Sequence, residues 1–529
     1  MTARRTTALA GTLAALVIGS SALLAPPALA HGPGGKPGPG PGHGHSRGID
    51  EERFASKVTT RGVFRHLEEL QRIADRNDGN RAAFTDGYEE SARYVERTLK
   101  KAGYTTTRDP FTVDFEVVDA ATATLGTGEV LEVDQMQYSP STAEGGVTAD
   151  VSVPAVATGC TPEAWEGVEV AGTIAVVSRG DCPFAQKAVV ADEAGAAGLV
   201  VYNNAGELFA GTLGEEGLVD IPVASLSQSD GEAIVAAVAQ GTVSLTLDVR
   251  FHVEQRESFN VLAETRTGRD DNVVVLGAHL DGVEEGPGIN DNGTGSATLL
   301  EVAVQLAKEK KHDNTVRFAW WGAEELGLIG STAYVDELAT QEGELDRIAT
   351  YLNFDMIGSP NYIIGVYDAD QSTYPAPEGV PVPEGSAQTE AVFTGYFDSI
   401  GQPWVDTEFS GRSDYQAFIE NGIPASGLFT GADDVKTEEE VALFGGTAGI
   451  IHDPNYHSPA DDLSNVNREA LGIMAKAVAF ATASLANDTS AINGVSGPGD
   501  QGHHHGPWKP GKGKKHWHGH ERGADQRAA

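Results

Sequence analysis

Three apolar runs of strand length, each ending in an acid or an imidazole, constrain this chain more than any other feature. NVVVLGAHLDG delivers His279 and Asp281, TVRFAWWGAEELG delivers Glu324 and Glu325, and TYLNFDMIG delivers Asp355. Buried strands alternating with helical stretches point to a mixed or parallel α/β sheet. In open α/β sheets, sites form outside the carboxyl ends of the strands. Three such ends in one crevice would gather one imidazole and four acids.

The rest of the chain divides around these runs. Helical periodicity marks VFRHLEELQRIA and YEESARYVERTLKKAG. Between residues 126 and 249, short β-type runs such as GTIAVVSRG and GLVVYNN alternate with Gly-rich turns and one Ala-rich helix. The simplest architecture is one α/β domain, residues 51–125 and 250–490, interrupted by a smaller β-rich domain, residues 126–249.

Residues 1–30 read as a secretory signal peptide: Arg4 and Arg5 precede an apolar run, and Ala28-Leu29-Ala30 gives a small-x-small cleavage pattern. No later apolar stretch is expected to span a bilayer, so the mature chain is read as secreted, with no membrane partner. Residues 31–50 form a Gly/Pro/His-rich linker and residues 491–529 a disordered His/Lys/Gly-rich tail. A net charge of −39 argues against nucleic acid, whose phosphates need clustered Lys and Arg. The two cysteines, Cys160 and Cys182, are expected to form a disulfide in an exported chain. They are too few for a thiolate zinc cluster, so any metal here uses His and carboxylate ligands.

Nine of the fifteen histidines lie in the terminal segments, which leaves His66, His252, His279, His312, His452 and His457 as candidates. The loop GPGINDNGTGSATLLEVA adds Asp291 just before a helix start, where it could equally be an N-cap. Glu324 and Glu325 could likewise be an acidic first turn answering the helix dipole. A pair of zinc ions about 3.5–4 Å apart needs a bridging carboxylate and about two more ligands each. The chain supplies that set and leaves Glu324 over to accept a proton. Asp281, two residues after His279, suits the task of orienting that imidazole. On the residues alone, His457 still competes with His452.

AHLDG, INDNGTGSA, WWGAEELGLIGS, NFDMIGSP, FSGRSDYQAF, GIPASGLFTGA and YHSPADDLSN resemble the successive motifs of the secreted bacterial leucyl aminopeptidases. That family sits in a wider zinc-exopeptidase group with glutamate carboxypeptidases, glutaminyl cyclases and the transferrin receptor. The resemblance covers about residues 58–485 and implies a mixed-sheet, phosphorylase/hydrolase-like zinc-exopeptidase fold. It implies two Zn2+ per chain, with Asp291 as the bridge, His279 and Asp355 on one ion, and Glu325 and His457 on the other. Glu324 would be the general base, and Tyr456 would stabilise the tetrahedral intermediate. Arg412 is similar to the family's substrate-pocket arginine, although a salt bridge to an acid such as Asp414 is an equal reading. GTIAVVSRGDCPFAQKAVVADEAGAAGLVVYNN looks like a protease-associated domain. One departure is that some relatives carry a cysteine pair around the Tyr-His motif, where this chain has Asn455 and Pro459-Ala460.

The implied substrates are peptides or proteins with a free N-terminus, probed by a monomeric enzyme that removes a bulky apolar residue such as Leu. A single-zinc cyclase fits less well, because His279 and Asp355 supply a second ion. A carboxypeptidase shares the metal set. A non-catalytic relative would have lost ligands, and a His-rich metal store would rest only on the tails.

Overall fold

The computed structural model describes residues 48–495, apart from 207, 210, 215, 216, 378 and 379. The expected signal peptide, linker residues 31–47 and tail residues 496–529 lie outside the described residues. The chain forms two compact units, a smaller one of Asp114–Gln255 and a larger one that includes the described residues on either side.

The larger unit opens with α1 (Glu51–Ala55), α2 (Thr60–Arg76) and α3 (Asp86–Ala102). Thr59 and Thr85 cap α2 and α3 by accepting the N–H groups of Gly62 and Tyr88. Gly103, in the left-handed conformation, ends α3. The chain leaves along β1 (Thr106–Leu125) and builds β2 (Val130–Glu132), β3 (Asp134–Gln135), β4 (Val147–Ser152), β5 (Ile174–Ser178), α4 (Phe184–Glu193), β6 (Gly198–Tyr202), β7 (Val223–Leu226) and α5 (Gln228–Val238). It returns along β8 (Ser244–Glu264) to β9 (Arg269–His279), α6 (Gly295–Leu306), β10 (Asn314–Trp321), α7 (Ile329–Ala339) and β11 (Ile348–Phe354). Next come β12 (Gly365–Tyr367), α8 (Ser386–Ile400), β13 (Val405–Thr407), α9 (Tyr415–Glu420), β14 (Ala425–Phe429), α10 (Glu438–Phe444), α11 (Arg468–Asn487) and α12 (Ser490–Asn493).

In the smaller unit β4, β5, β6 and β7 run parallel in that order. Val176, Val200 and Ala224 pack one face, and Val177, Val201 and Val223 the other. Cys160 and Cys182 are joined by a disulfide. The units part inside β1 and β8, whereas the sequence reading set the breaks at 125/126 and 249/250. A continuous strand carries no change of composition to mark such a point.

In the larger unit the strand order is β13-β12-β14-β11-β9-β10-β8. β9 pairs in parallel with both β10 and β11, and β8 pairs antiparallel with β10, so the sheet is mixed. Both faces are covered. Val274, Leu276, Phe318, Trp320, Leu352 and Phe354 pack in one core with α2, α6 and α11. Val273, Val275, Ala319, Trp321 and Tyr351 pack in the other with residues of α7 and α9. This two-sided burial is why the strands read as near-continuous apolar runs. It also leaves the carboxyl ends of β9, β10 and β11 side by side.

Two expectations are corrected here. Ile49, assigned to the linker, is buried, and its backbone is bonded to Asn487; Ile492, assigned to the tail, is buried in α12. The apolar anchors at both ends are single residues in polar surroundings, too sparse to register as periodicity. Second, α11 is long and apolar enough to cross a membrane by length and composition, with mean hydropathy 1.4, contrary to the expectation that no later stretch is. Of its most apolar 18-residue stretch, 67% is instead buried inside the protein, where Leu471, Met474 and Val478 join the core.

Candidate metal centre

Each strand end turns its acid or imidazole into one crevice. His279 is the last residue of β9 and is buried. Its Nδ1 lies 3.0 Å from the carbonyl of Asp281, which can only accept, so Nδ1 carries the proton and Nε2 is left free to face the acids. Asp281 therefore orients the imidazole through its backbone, and not through its carboxylate, which stands 3.9 Å away. That carboxylate accepts the backbone N–H groups of Glu324 and Glu325, each at 3.3 Å. Adjacent parallel strands bring the end of β9 level with the end of β10, which is why this bond forms.

Asp291 lies between two imidazoles. Its Oδ1 is 3.2 Å from His279 Nε2 and its Oδ2 is 3.2 Å from His457 Nε2. Asp355 Oδ1 is 3.3 Å from His279 Nε2, and Glu325 Oε2 is 3.0 Å from His457 Nε2. Glu324 stands farther off, its Oε2 3.8 Å from His279 Nε2. Two overlapping groups of potential ligand atoms result, His279 with Asp291 and Glu325, and His279 with Glu324 and Asp355. Glu325 Oε1 is buried without a hydrogen bond among the described residues. Unsatisfied donors and acceptors in a buried polar cluster are costly unless something else binds them.

The competing local readings fail on geometry. The N–H of Gly295 at the start of α6 goes to Asn292 Oδ1 at 2.9 Å, so Asn292 takes the capping task and Asp291 turns into the crevice. The Asp291–Asn292 peptide is cis. α7 begins only at Ile329, with no acid in its first turn, so Glu324 and Glu325 do not answer a helix dipole. Ala323, Met356 and His457 all adopt left-handed φ, beside or within the cluster. Such strain at non-glycine residues persists where the surroundings over-determine it.

The remaining histidines lie apart. His452 stands 3.5 Å from Glu440, His66 bonds Tyr94 and Glu301, His312 bonds Thr267 and the Asn314 carbonyl, and His252 is exposed beside Asp119. Tyr456 stacks its ring on His457 with centroids 3.8 Å apart. Arg412 pairs with Asp433 at 3.1 Å, not with Asp414, which is buried under the crevice. Arg412 and Tyr456 are near enough to influence each other's charge. The loop around Tyr456 is tied without a cysteine pair: Asn455 donates to Asn465 Oδ1 at 2.8 Å, and Ser458 donates to the Asn455 carbonyl at 2.7 Å.

Electrostatics show what this crevice demands. Burial opposes a charge on His279, yet Glu324, Asp355 and Asp291 hold its pKa well above the ordinary imidazole value. His457 behaves alike, pushed up to about 10 against burial by Asp291 and Glu325. Burial and the charge of Asp291 raise Glu325 to about 7, and burial with Asp355 and Asp414 raises Glu324 well above its usual range. Tyr456 is likewise held far above 10 by burial and by Asp291 and Glu325, so its phenol keeps its proton. A buried set this rich in carboxylates calls for cations.

Several supporting residues were not among the expected site residues. Ser413 donates to Asp355 Oδ2 at 2.6 Å. Asp461 accepts the N–H groups of Asn290 at 2.8 Å and Asp291 at 3.0 Å. Arg81, fully buried, donates to three carbonyls beside the site. Ser413 and Asp461 fall inside motifs already quoted; Arg81 is some two hundred residues from its partners, and only the fold brings it there.

Residues 260–482 match the model of peptidase family M28, and residues 147–234 match that of the PA domain. The chain is 45% identical over 419 residues to a probable leucine aminopeptidase 2 of Aspergillus fumigatus, covering 78% of this chain and 80% of that one. It is 44% identical over 453 residues to a probable lipoprotein aminopeptidase, LpqL, of Mycobacterium tuberculosis, covering 85% and 89%. Among solved structures it resembles BSAP, a zinc aminopeptidase from Bacillus subtilis, with TM-score 0.64 and 26% identity over 82% of this chain and 98% of that one.

Proposed function

The chain belongs to peptidase family M28 and carries an inserted PA domain, and on that premise we propose that it is a two-zinc aminopeptidase. The observation that carries the proposal is the Asp291 carboxylate, one oxygen toward His279 and the other toward His457, each at 3.2 Å. In this reading Asp291 would be shared by both ions, His279 and Asp355 would complete one, and Glu325 and His457 would complete the other. The donor set suits zinc, which takes imidazole nitrogen and carboxylate oxygen. The unpaired Glu325 Oε1 supports the same assignment.

When bound, a zinc pair supplies polarisation of the scissile carbonyl and a water acidic enough to react near neutral pH. Glu324, whose carboxylate is bonded to neither imidazole, takes the proton of the attacking water and returns it to the leaving amine. The protonated Tyr456 hydroxyl donates to the oxygen on which charge develops. Asp281 holds the peptides of Glu324 and Glu325 in register. Arg412, anchored by Asp433, lines the pocket for the substrate's free amino end.

The names of the relatives support an N-terminal bulky apolar residue, such as Leu, as the one removed. The Cys160–Cys182 disulfide and the signal-like first thirty residues support a secreted protein. We read it as a monomer acting on peptides and proteins. Hydrolysis of aminoacyl-nitroanilides, free and N-acetylated, tests the activity. Cleavage confined to the free amines, and abolished by chelator, is expected; cleavage of the acetylated substrates, or indifference to chelator, contradicts it.

A further inference from the structure

We propose that Arg81 and Asp461 are positioning residues, a two-sided clamp on the loop that carries Asp291 from the end of β9 to its place between the imidazoles. The proposal rests on the two-ion reading above. That loop starts at Leu280, directly after His279, and ends at Asp291. Arg81 enters from the segment before α3 and staples both ends of it. Its Nε donates to the carbonyl of Pro287 at 2.9 Å, its Nη1 to that of Leu280 and its Nη2 to that of Gly288. Asp461 grips the amide side. Its own carbonyl takes the N–H of Ile289 at 3.0 Å, Oδ1 that of Asn290 at 2.8 Å, and Oδ2 that of Asp291 at 3.0 Å.

The close fit requires glycine at the point of contact. Gly288 has φ +60, and a Cβ there would come within 2.5 Å of the Asp291 carbonyl and 3.1 Å of Arg81 Nη2. No side chain could be added without displacing either the clamp or the ligand.

The charge on Arg81 is not what the site uses. A guanidinium facing Asp461, Asp281, Asp291 and Glu325 opposes the cations that Asp291 and Glu325 would hold. What it supplies is a rigid planar fork that reaches three carbonyls at once. A lysine would keep the charge and present one nitrogen. Metal ligands tolerate about 0.5 Å of displacement before the site loosens, so a slackened loop moves the one carboxylate both ions share.

The test is a zinc competition titration against a chromophoric chelator on the full chain, for wild type, Arg81→Lys, Arg81→Met and Asp461→Asn, with circular dichroism to establish folding. Both Arg81 variants, folded, are expected to hold zinc about 10- to 100-fold more weakly than wild type. Asp461→Asn, isosteric but with one acceptor fewer, is expected to shift affinity the same way by a smaller factor. Wild-type zinc affinity in folded Arg81→Lys overturns the fork, whatever Arg81→Met does. If neither Arg81 variant folds, Asp461→Asn decides, and unchanged affinity there overturns the clamp. A wild-type chain that binds no zinc would instead sink the two-ion reading, so the two failures are distinguishable.

Discussion

Ser413 donates its hydroxyl to Asp355 Oδ2 at 2.6 Å, leaving Oδ1 directed at the crevice. The bond is the last of a chain that begins in the core. Trp321 Nε1 donates to the Tyr351 hydroxyl at 2.9 Å, Tyr351 to Asn353 Oδ1 at 2.9 Å, and Asn353 Nδ2 to Ser413 at 2.8 Å. Every donor in this chain is buried, and Tyr351 is further fixed by stacking on Phe418 with centroids 3.8 Å apart. The orientation of a proposed metal ligand is thus set by close-packed aromatic groups on the far face of the sheet.

Ser413→Ala should therefore keep the fold and weaken zinc binding by about 10-fold, because partners that orient ligands act at that scale. Zinc competition at fixed pH reads the effect. Unchanged affinity would mean that Asp355 is oriented without Ser413.

Glu324→Gln is isosteric and removes the proton acceptor. Turnover should fall by about 10²- to 10⁴-fold, the range for general-base loss, while zinc content stays at the wild-type level. Retention of most activity, with metal bound, would show that another group accepts the proton.

Glu390 gives a pH-dependent prediction away from the crevice. Burial, with the charges of Asp370, Asp406 and Asp368, raises its carboxyl to about 7, although Ala369 and Asp370 donate backbone N–H bonds to it. The folded chain holds this proton up to about pH 7, whereas an unfolded Glu releases it near its ordinary value, about 4.3. Stability from this group is thus present at low pH and lost as pH rises through that window. Glu390→Gln should raise the melting temperature at pH 8 and give little gain near pH 4. Equal effects at both pH values would refute the assignment.

The disulfide makes a separate prediction for the smaller unit. Cys160 and Cys182 are 22 residues apart, a loop whose closure stabilises by roughly 3 kcal/mol in the chain-entropy model. Replacing both by Ser should lower the unfolding midpoint of that unit, and a reductant should do the same to wild type. Proteolysis within residues 160–182, compared with and without reductant, reports it. A rate that reductant leaves unchanged would count against the estimate.

The sheet and much of the crevice were legible because two-sided burial writes long apolar runs, and polar residues at their ends stand out against them. His279, Glu325 and Asp355 announced themselves in that way. Asp291 did not, since a local reading as an N-cap was equally good until Asn292 was seen to take that bond. Between His452 and His457 the resemblance of the Tyr-His motif, and not spacing, favoured His457; the loop that folds onto Asp291 carries His457, while His452 stands beside Glu440. Spacing suggested that Asp281 meets the imidazole of His279 but does not say through which atom: it is the backbone carbonyl. Arg81 and Ser413 act through contacts made only after distant segments meet, so no local pattern could reveal them. The unit boundaries were hidden for the opposite reason, because β1 and β8 run through them unbroken.

The most direct measurement of the central claim is a zinc titration of the metal-free full chain, with bound metal and aminopeptidase activity followed together. The account predicts two zinc ions per chain, and an Asp291→Ala variant that weakens both, because its carboxylate faces both imidazoles. Saturation at one ion with full activity, or an Asp291→Ala variant that binds two ions as wild type does, would contradict it.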